Sequence, residues 1–163
     1  MNHTLVGELL GFAMAESARV GDALESEDLM VPYIVSLEGG EKLLRFFEAD
    51  SQAEAVEKAE FALVNIPKTT EGWAFSRDGV ISASDGKKQD VFVFKVWANG
   101  MVCPLEAYQA YSTHPFKLLG TVKVLNYQQA GLYPDSSEEF SAGLNQGIHS
   151  HPIARAEWLN WCS

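Results

Sequence analysis

At 163 residues, with 47% hydrophobic and 21% charged side chains, the chain has the length and balance of one globular domain. Twenty-two acidic residues against 12 basic ones give a formal net charge of −10. Such a surface repels phosphate backbones and anionic lipid, so the expected functions exclude nucleic-acid binding and membrane attachment.

Residues 4–24 carry the periodicity of a helix. Leu5, Val6, Leu9, Leu10, Ala13 and Val20 recur every three to four positions, and Glu8, Glu16 and Arg19 lie off that face. Gly7, Gly11 and Gly21 weaken its propensity, and the G-x-x-x-G spacing of the first two carries no weight outside a membrane helix. No apolar run approaches the ~20 residues needed to span a bilayer. The stretch Leu5 to Ala15 ends in Ala13-Met14-Ala15, like a signal-peptidase site, but Glu8 interrupts it and no Lys or Arg precedes it. The expectation is a cytoplasmic protein. Glu25 to Met30 is an acidic connector. The acidic surplus is concentrated in this part of the chain: residues 1–60 hold 13 acids and 4 bases, for a net of −9, while 61–130 carry +2 and 131–163 carry −3.

The runs Pro32 to Leu37 and Lys42 to Phe47, joined across Gly39-Gly40, predict a hairpin. Ser51 and Glu54 form a capping box for a helix with an inner stripe of Ala55, Val56, Ala59, Ala62 and Leu63, which ends before Pro67. Residues 71–126 read as all-β. Asp78-Gly79, Asp85-Gly86 and Asn99-Gly100 punctuate the runs 72–75, 80–81 and 91–97 as hairpin turns, and strands follow at 102–112 and 121–125. After a polar loop over 127–133, Ser136 and Glu139 cap a short helix bearing Phe140 and Leu144 that stops near Gly147. A last helix starts near Pro152, with Ala154, Trp158, Trp161 and Cys162 on one face.

These elements make one α+β domain over 1–163, in the order α-β-β-α-β-β-β-β-β-α-α. It has a mostly antiparallel sheet of about six strands with helices packed on one face. Residues 1–30 hold the first helix and connector, 31–126 the β-β-α and meander core, and 127–163 a loop and two short helices.

Chemical signatures are sparse. There is no phosphate-binding glycine loop, no dinucleotide fingerprint, no nucleophile elbow and no H-E-x-x-H, so neither a cofactor nor a catalytic residue is expected. His149-Ser150-His151 could turn two imidazoles toward one ion, with Cys162 or Asp135 completing the shell. Without a second ligand pair, the better reading is that Ser150 or His151 caps the last helix. No metal is expected. Cys103 and Cys162 do not make a disulfide framework. A nucleophile Cys103 with His114 as base would need to span about 30 Å along an extended strand. Along Glu106 to His114, Glu106, Tyr108 and Ser112 share one strand face and Gln109 and Tyr111 the other.

Two functional readings follow. The first is a non-enzymatic binding or adaptor protein, immunity-like or regulatory, that recognises a basic protein partner through Glu25, Glu27 and Asp28 or through Trp158 and Trp161. The alternative is a small-ligand protein or enzyme with a site between the sheet and the C-terminal segment at Tyr108, Tyr111, His114 and His149. A homodimer through a sheet edge or the Trp-bearing helix is compatible with both.

Overall fold

The structure is a computed structural model that describes residues 2–25, 28–132 and 137–163. The first helix, α1 (His3–Ala23), opens on Asn2, whose side chain accepts from the Leu5 amide at 3.0 Å. The hairpin β1 (Tyr33–Glu38) and β2 (Glu41–Phe46) turns on Gly39 and Gly40, both at positive φ. The second helix, α2 (Gln52–Val64), is capped by the Ser51 hydroxyl on the Glu54 amide, as the capping box predicts. A meander follows: β3 (Gly72–Ser82), β4 (Lys88–Ala98), β5 (Leu105–Ser112) and β6 (Lys117–Val124). The chain ends with α3 (Ser137–Ser150) and α4 (Ala154–Trp161).

The strands form one antiparallel sheet in the order β2-β1-β3-β4-β5-β6, the α+β architecture that the pattern of elements predicts. Asp78-Gly79 is not a turn. It lies within β3, where Gly79 is extended opposite Val91, so the two runs around it are one strand of 11 residues. The pair stays extended because the Asp78 carboxylate is engaged by distant groups instead of by its own backbone. The Asp85-Gly86 turn does form, closed by the Ala83 amide on the Lys87 carbonyl.

Alternation along the strands sorts the side chains onto two faces. Tyr33, Val35, Ala74, Phe92, Phe94, Val96, Leu105 and Ala107 point toward α1, α3 and α4 and form the main core. The opposite face is covered at its β1–β3 end by α2 and the segments flanking it, where Ile34, Trp73 and Phe75 meet Ala59 and Phe47. Ala55 and Ala59 are buried while Val56, Ala62 and Leu63 pack alongside, the inner stripe expected of this helix.

The glycines of α1 have a packing role that their propensity hides. A Cβ on Gly7 or Gly11 would overlap the carbonyl oxygens of Phe140 and Leu144, and one on Gly143 or Gly147 would overlap those of Thr4 and Glu8. Each helix carries a G-x-x-x-G ridge, and the two backbones lie in direct contact. The spacing therefore does carry weight in this helix, because close approach needs small residues in any medium. Gly147 is interior to α3 and does not end it; the helix runs on to Ser150.

Gly11→Ala and Gly147→Ala should each destabilise the fold by about 1–3 kcal/mol through overpacking. An unconstrained helix position would instead gain ~1 kcal/mol. Urea denaturation measures this, and a stability at or above wild type would show that the backbones are not in contact.

Candidate functional site

The buried face of α1 holds polar groups that look like chemistry on paper. Glu16, 2% exposed, is gripped by Arg19, with Nε on Oε1 at 2.6 Å and Nη2 on Oε2 at 3.0 Å. It also meets His151 Nε2 at 3.1 Å. His151 Nδ1 accepts from the amides of Ile153 and Ala154 at 3.2 and 3.0 Å, so the ring proton sits on Nε2 and is donated to Glu16. His151 thus caps α4 and links it to α1. Burial alone would raise the Glu16 pKa, but the bonds from His151 and Arg19 outweigh it and the net shift is downward.

Beside this pair, the Tyr33 hydroxyl donates to the Ala13 carbonyl at 2.5 Å and also meets Ser17 Oγ at 2.8 Å. Ser17 in turn meets Ser76 Oγ at 2.7 Å. Burial pushes the Tyr33 phenol far up its scale. Deeper along β3, Asp78 accepts from the Met30 amide and from the Tyr111 hydroxyl, the latter at 2.5 Å. Burial raises the Asp78 carboxyl against the pull of those two donors, and burial together with the neighbouring carboxylate raises Tyr111. Glu16, His151, Tyr33, Ser17, Ser76, Asp78 and Tyr111 all have protein partners. Among the described residues, only the partly exposed Arg19 end of the seam borders a hollow.

The sequence-predicted ligand residues do not converge. Tyr111 is buried on the core face, stacked on Phe92 at 4.1 Å, while Tyr108 is on the other face of the same strand. His114 is exposed in the β5–β6 turn, and His149 is exposed near the end of α3 with Nδ1 against the Asn145 carbonyl. His149 and His151 do not share an ion site, because they are on a helix end and not on an extended segment. Among the described residues, no three His, Cys, Asp or Glu side chains could hold a metal. The Cys103 thiol donates to the Gln129 carbonyl at the opposite end of β5 from His114.

Of the predicted partner-binding residues, Glu25 and Asp28 are exposed on the connector, whereas Glu27, like Asp135 and Ser136, lies outside the described residues. Trp161 is buried against Phe116 and Trp158 is half-buried beside it, so α4 anchors to the sheet near β6. No helix among the described residues is long and apolar enough to cross a membrane.

The open surface is elsewhere. Between β1, β2 and α2 lies a groove of about 910 Å³, walled by Ile34, Leu43, Phe47, Phe61 and Ile66. Arg45, Lys58, Glu54 and Glu57 also line it. Phe61 is 72% exposed. All six residues of β2 are exposed, with Leu43 and Arg45 facing the groove and Leu44 and Phe46 on the other side. There Phe46 borders a second hollow of about 270 Å³ with Arg19, Leu24 and Val31. Sequence reasoning found the strand but not this surface. The available signal was the apolar Leu43-Leu44-Arg45-Phe46 run with no alternation, and Phe61 outside the inner stripe of its helix.

No family model, curated protein or solved structure matches this chain.

Two buried carboxyls should respond to pH with opposite signs. Asp78 has a raised pKa in the fold, so its contribution to stability falls as pH rises from the ordinary carboxylate range through its folded value. Tyr111→Phe removes a donor that pulls this value down. It should cost about 1–3 kcal/mol at pH 7 and less where Asp78 is protonated, as read by urea denaturation at both pH values. An equal loss at both would sink the assignment. Glu16 has a lowered pKa, so its contribution is present above the ordinary carboxylate range and is lost as pH falls through its folded value. Glu16→Gln should therefore cost roughly 1.5–3 kcal/mol at pH 7 and approach wild type on acidification.

Proposed function

We propose that this protein is a non-enzymatic protein-binding domain that docks its partner on the free edge of β2 and in the groove beside it. One observation carries the reading: a terminal strand with leucines on both faces and every residue exposed. Soluble proteins normally blunt such an edge with short strands, charged side chains, Pro, a bulge or a covering segment. Strand β2 carries Glu41, Lys42 and Arg45, yet it also sets Leu43, Leu44 and Phe46 in solvent. The opposite edge shows the contrast. On β6, Leu118 is bridged to Cys162, the Ser163 amide donates to its carbonyl, and the Lys117 ammonium reaches the Asn160 carbonyl at 2.5 Å. Edge β2 has no such cover among the described residues and no proline within it.

The backbone supports strand addition. Gly39-Gly40 pairs Glu38 with Glu41, and the Phe47 amide donates to the Pro32 carbonyl, so the odd-numbered residues of β2 bond to β1. Lys42, Leu44 and Phe46 then aim their amides and carbonyls outward. An extended partner segment would satisfy them and send alternate side chains toward the groove and toward Leu44. The non-enzymatic part of the reading is supported by the polar seam, whose groups are spent on one another.

A photoreactive residue at position 43 should form polypeptide adducts in cells, and one at Val102, 94% exposed on the β4–β5 connection, should not. Leu44→Pro should abolish the adducts while leaving the melting curve nearly unchanged, since it removes only an outward amide. Absence of polypeptide adducts from position 43 would overturn the proposal.

A further inference from the structure

We infer that the chain on this edge is a second copy of the same protein, with the two β2 strands antiparallel about a two-fold axis through Leu43. The inference rests on the reading of β2 as the docking edge and names its occupant.

A two-fold axis perpendicular to the sheet continues each face of one copy into the same face of the other. Residues set opposite one another must then share a face, which centres the pairing on a residue and not between two. Centred on Leu43, Lys42 of each copy meets Leu44 of the other, and both have outward-facing backbone groups, so the new ladder closes. Leu43 meets its own counterpart on the groove side. Glu41 of each copy meets Arg45 of the other, twice, on that same side and at the closely spaced positions of the ladder.

Charge selects this register. Moving the centre to Leu44 puts Arg45 opposite Leu43 and Glu41 opposite Phe47, and a centre on Arg45 puts two guanidiniums together. Within the chain, neither Glu41 nor Arg45 takes part in an ion pair among the described residues. Arg45 lies over the Phe47 ring at 4.6 Å, already on the groove face. The location fits the wider charge pattern as well. The first 60 residues hold only four bases, and two of them, Lys42 and Arg45, are on β2. Two copies of so acidic a protein repel least where their basic residues meet. Leu44 and Phe46, exposed at 42% and 36%, would gain cover on the opposite face.

Light scattering across a concentration series tests the inference on the full chain, which should be a dimer. Glu41→Arg and Arg45→Glu should each loosen the dimer about tenfold or more, because two attractive cross-strand pairs become repulsive. The double variant E41R/R45E should restore it. An equimolar mixture of the two single variants should form a heterodimer, since each then offers what the other lacks. That rescue also shows that the single variants are folded. A dimer indifferent to all three variants would overturn the interface. A monomer at every concentration overturns the second copy as occupant; the docking reading then survives only if position 43 still forms adducts with a different polypeptide.

Discussion

The packed side of this molecule is hung on the backbone contact between α1 and α3. Two G-x-x-x-G ridges, Gly7 and Gly11 against Gly143 and Gly147, let the helices approach until carbonyl oxygens occupy the space of absent Cβ atoms. With α3 pressed against one side and the sheet against the other, α1 is enclosed, and even Glu16 and Ser17 are buried. A buried carboxylate is costly unless it is paired and hydrogen-bonded. Arg19 and His151 meet that requirement, and His151 does so from the start of α4. The order of the C-terminal helices thus depends on the contact that buries the charge.

The same arrangement explains why the far edge of the sheet is open. On the main face α1 lies across β3 and β4, and α3 and α4 sit behind it or toward β6. On the other face α2 leans on β1 and β3. Neither layer extends over β2, so this strand projects with both of its faces in solvent. Two of its side chains reach back: the Lys42 ammonium lies 5.3 Å from the Phe12 ring centre, and the Phe46 ring lies 5.2 Å from that of Tyr33. The strand thus leaves Leu43, Leu44 and Phe46 at least one-third exposed at the edge of the sheet, the feature on which the proposed docking rests.

Tyr111 and His151 have their polar groups engaged within the fold. Tyr111 stood out in the sequence as part of a dense polar and aromatic stretch. Its hydroxyl is committed to Asp78, 33 positions away, and its ring to Phe92. The His149-Ser150-His151 triplet had two readings, and the helix-capping one describes His151. Its second partner, Glu16, is 135 residues distant, a pairing no local pattern reveals. The groove was less legible still. Leu43 and Phe61 lie on elements whose existence was plain, but whether an apolar side chain is core or surface depends on what covers it.

From the sequence alone, the hairpin at Gly39-Gly40, the Ser51-capped helix, the antiparallel meander and the α+β class could be read. Each rests on interactions within a few residues: turn glycines, a capping box, alternation or three-to-four periodicity. Only the tertiary structure decided that Asp78-Gly79 stays extended, that Gly147 does not end its helix and that β2 is an uncovered edge. In each case the deciding partner is remote in sequence. Tyr111 and Met30 engage Asp78, the Glu8 carbonyl crowds Gly147, and the layers over β1 and β3 stop short of β2. Apart from proline, local propensity is worth at most about 1 kcal/mol at a residue, so a buried hydrogen bond or a backbone contact can override it where the two disagree.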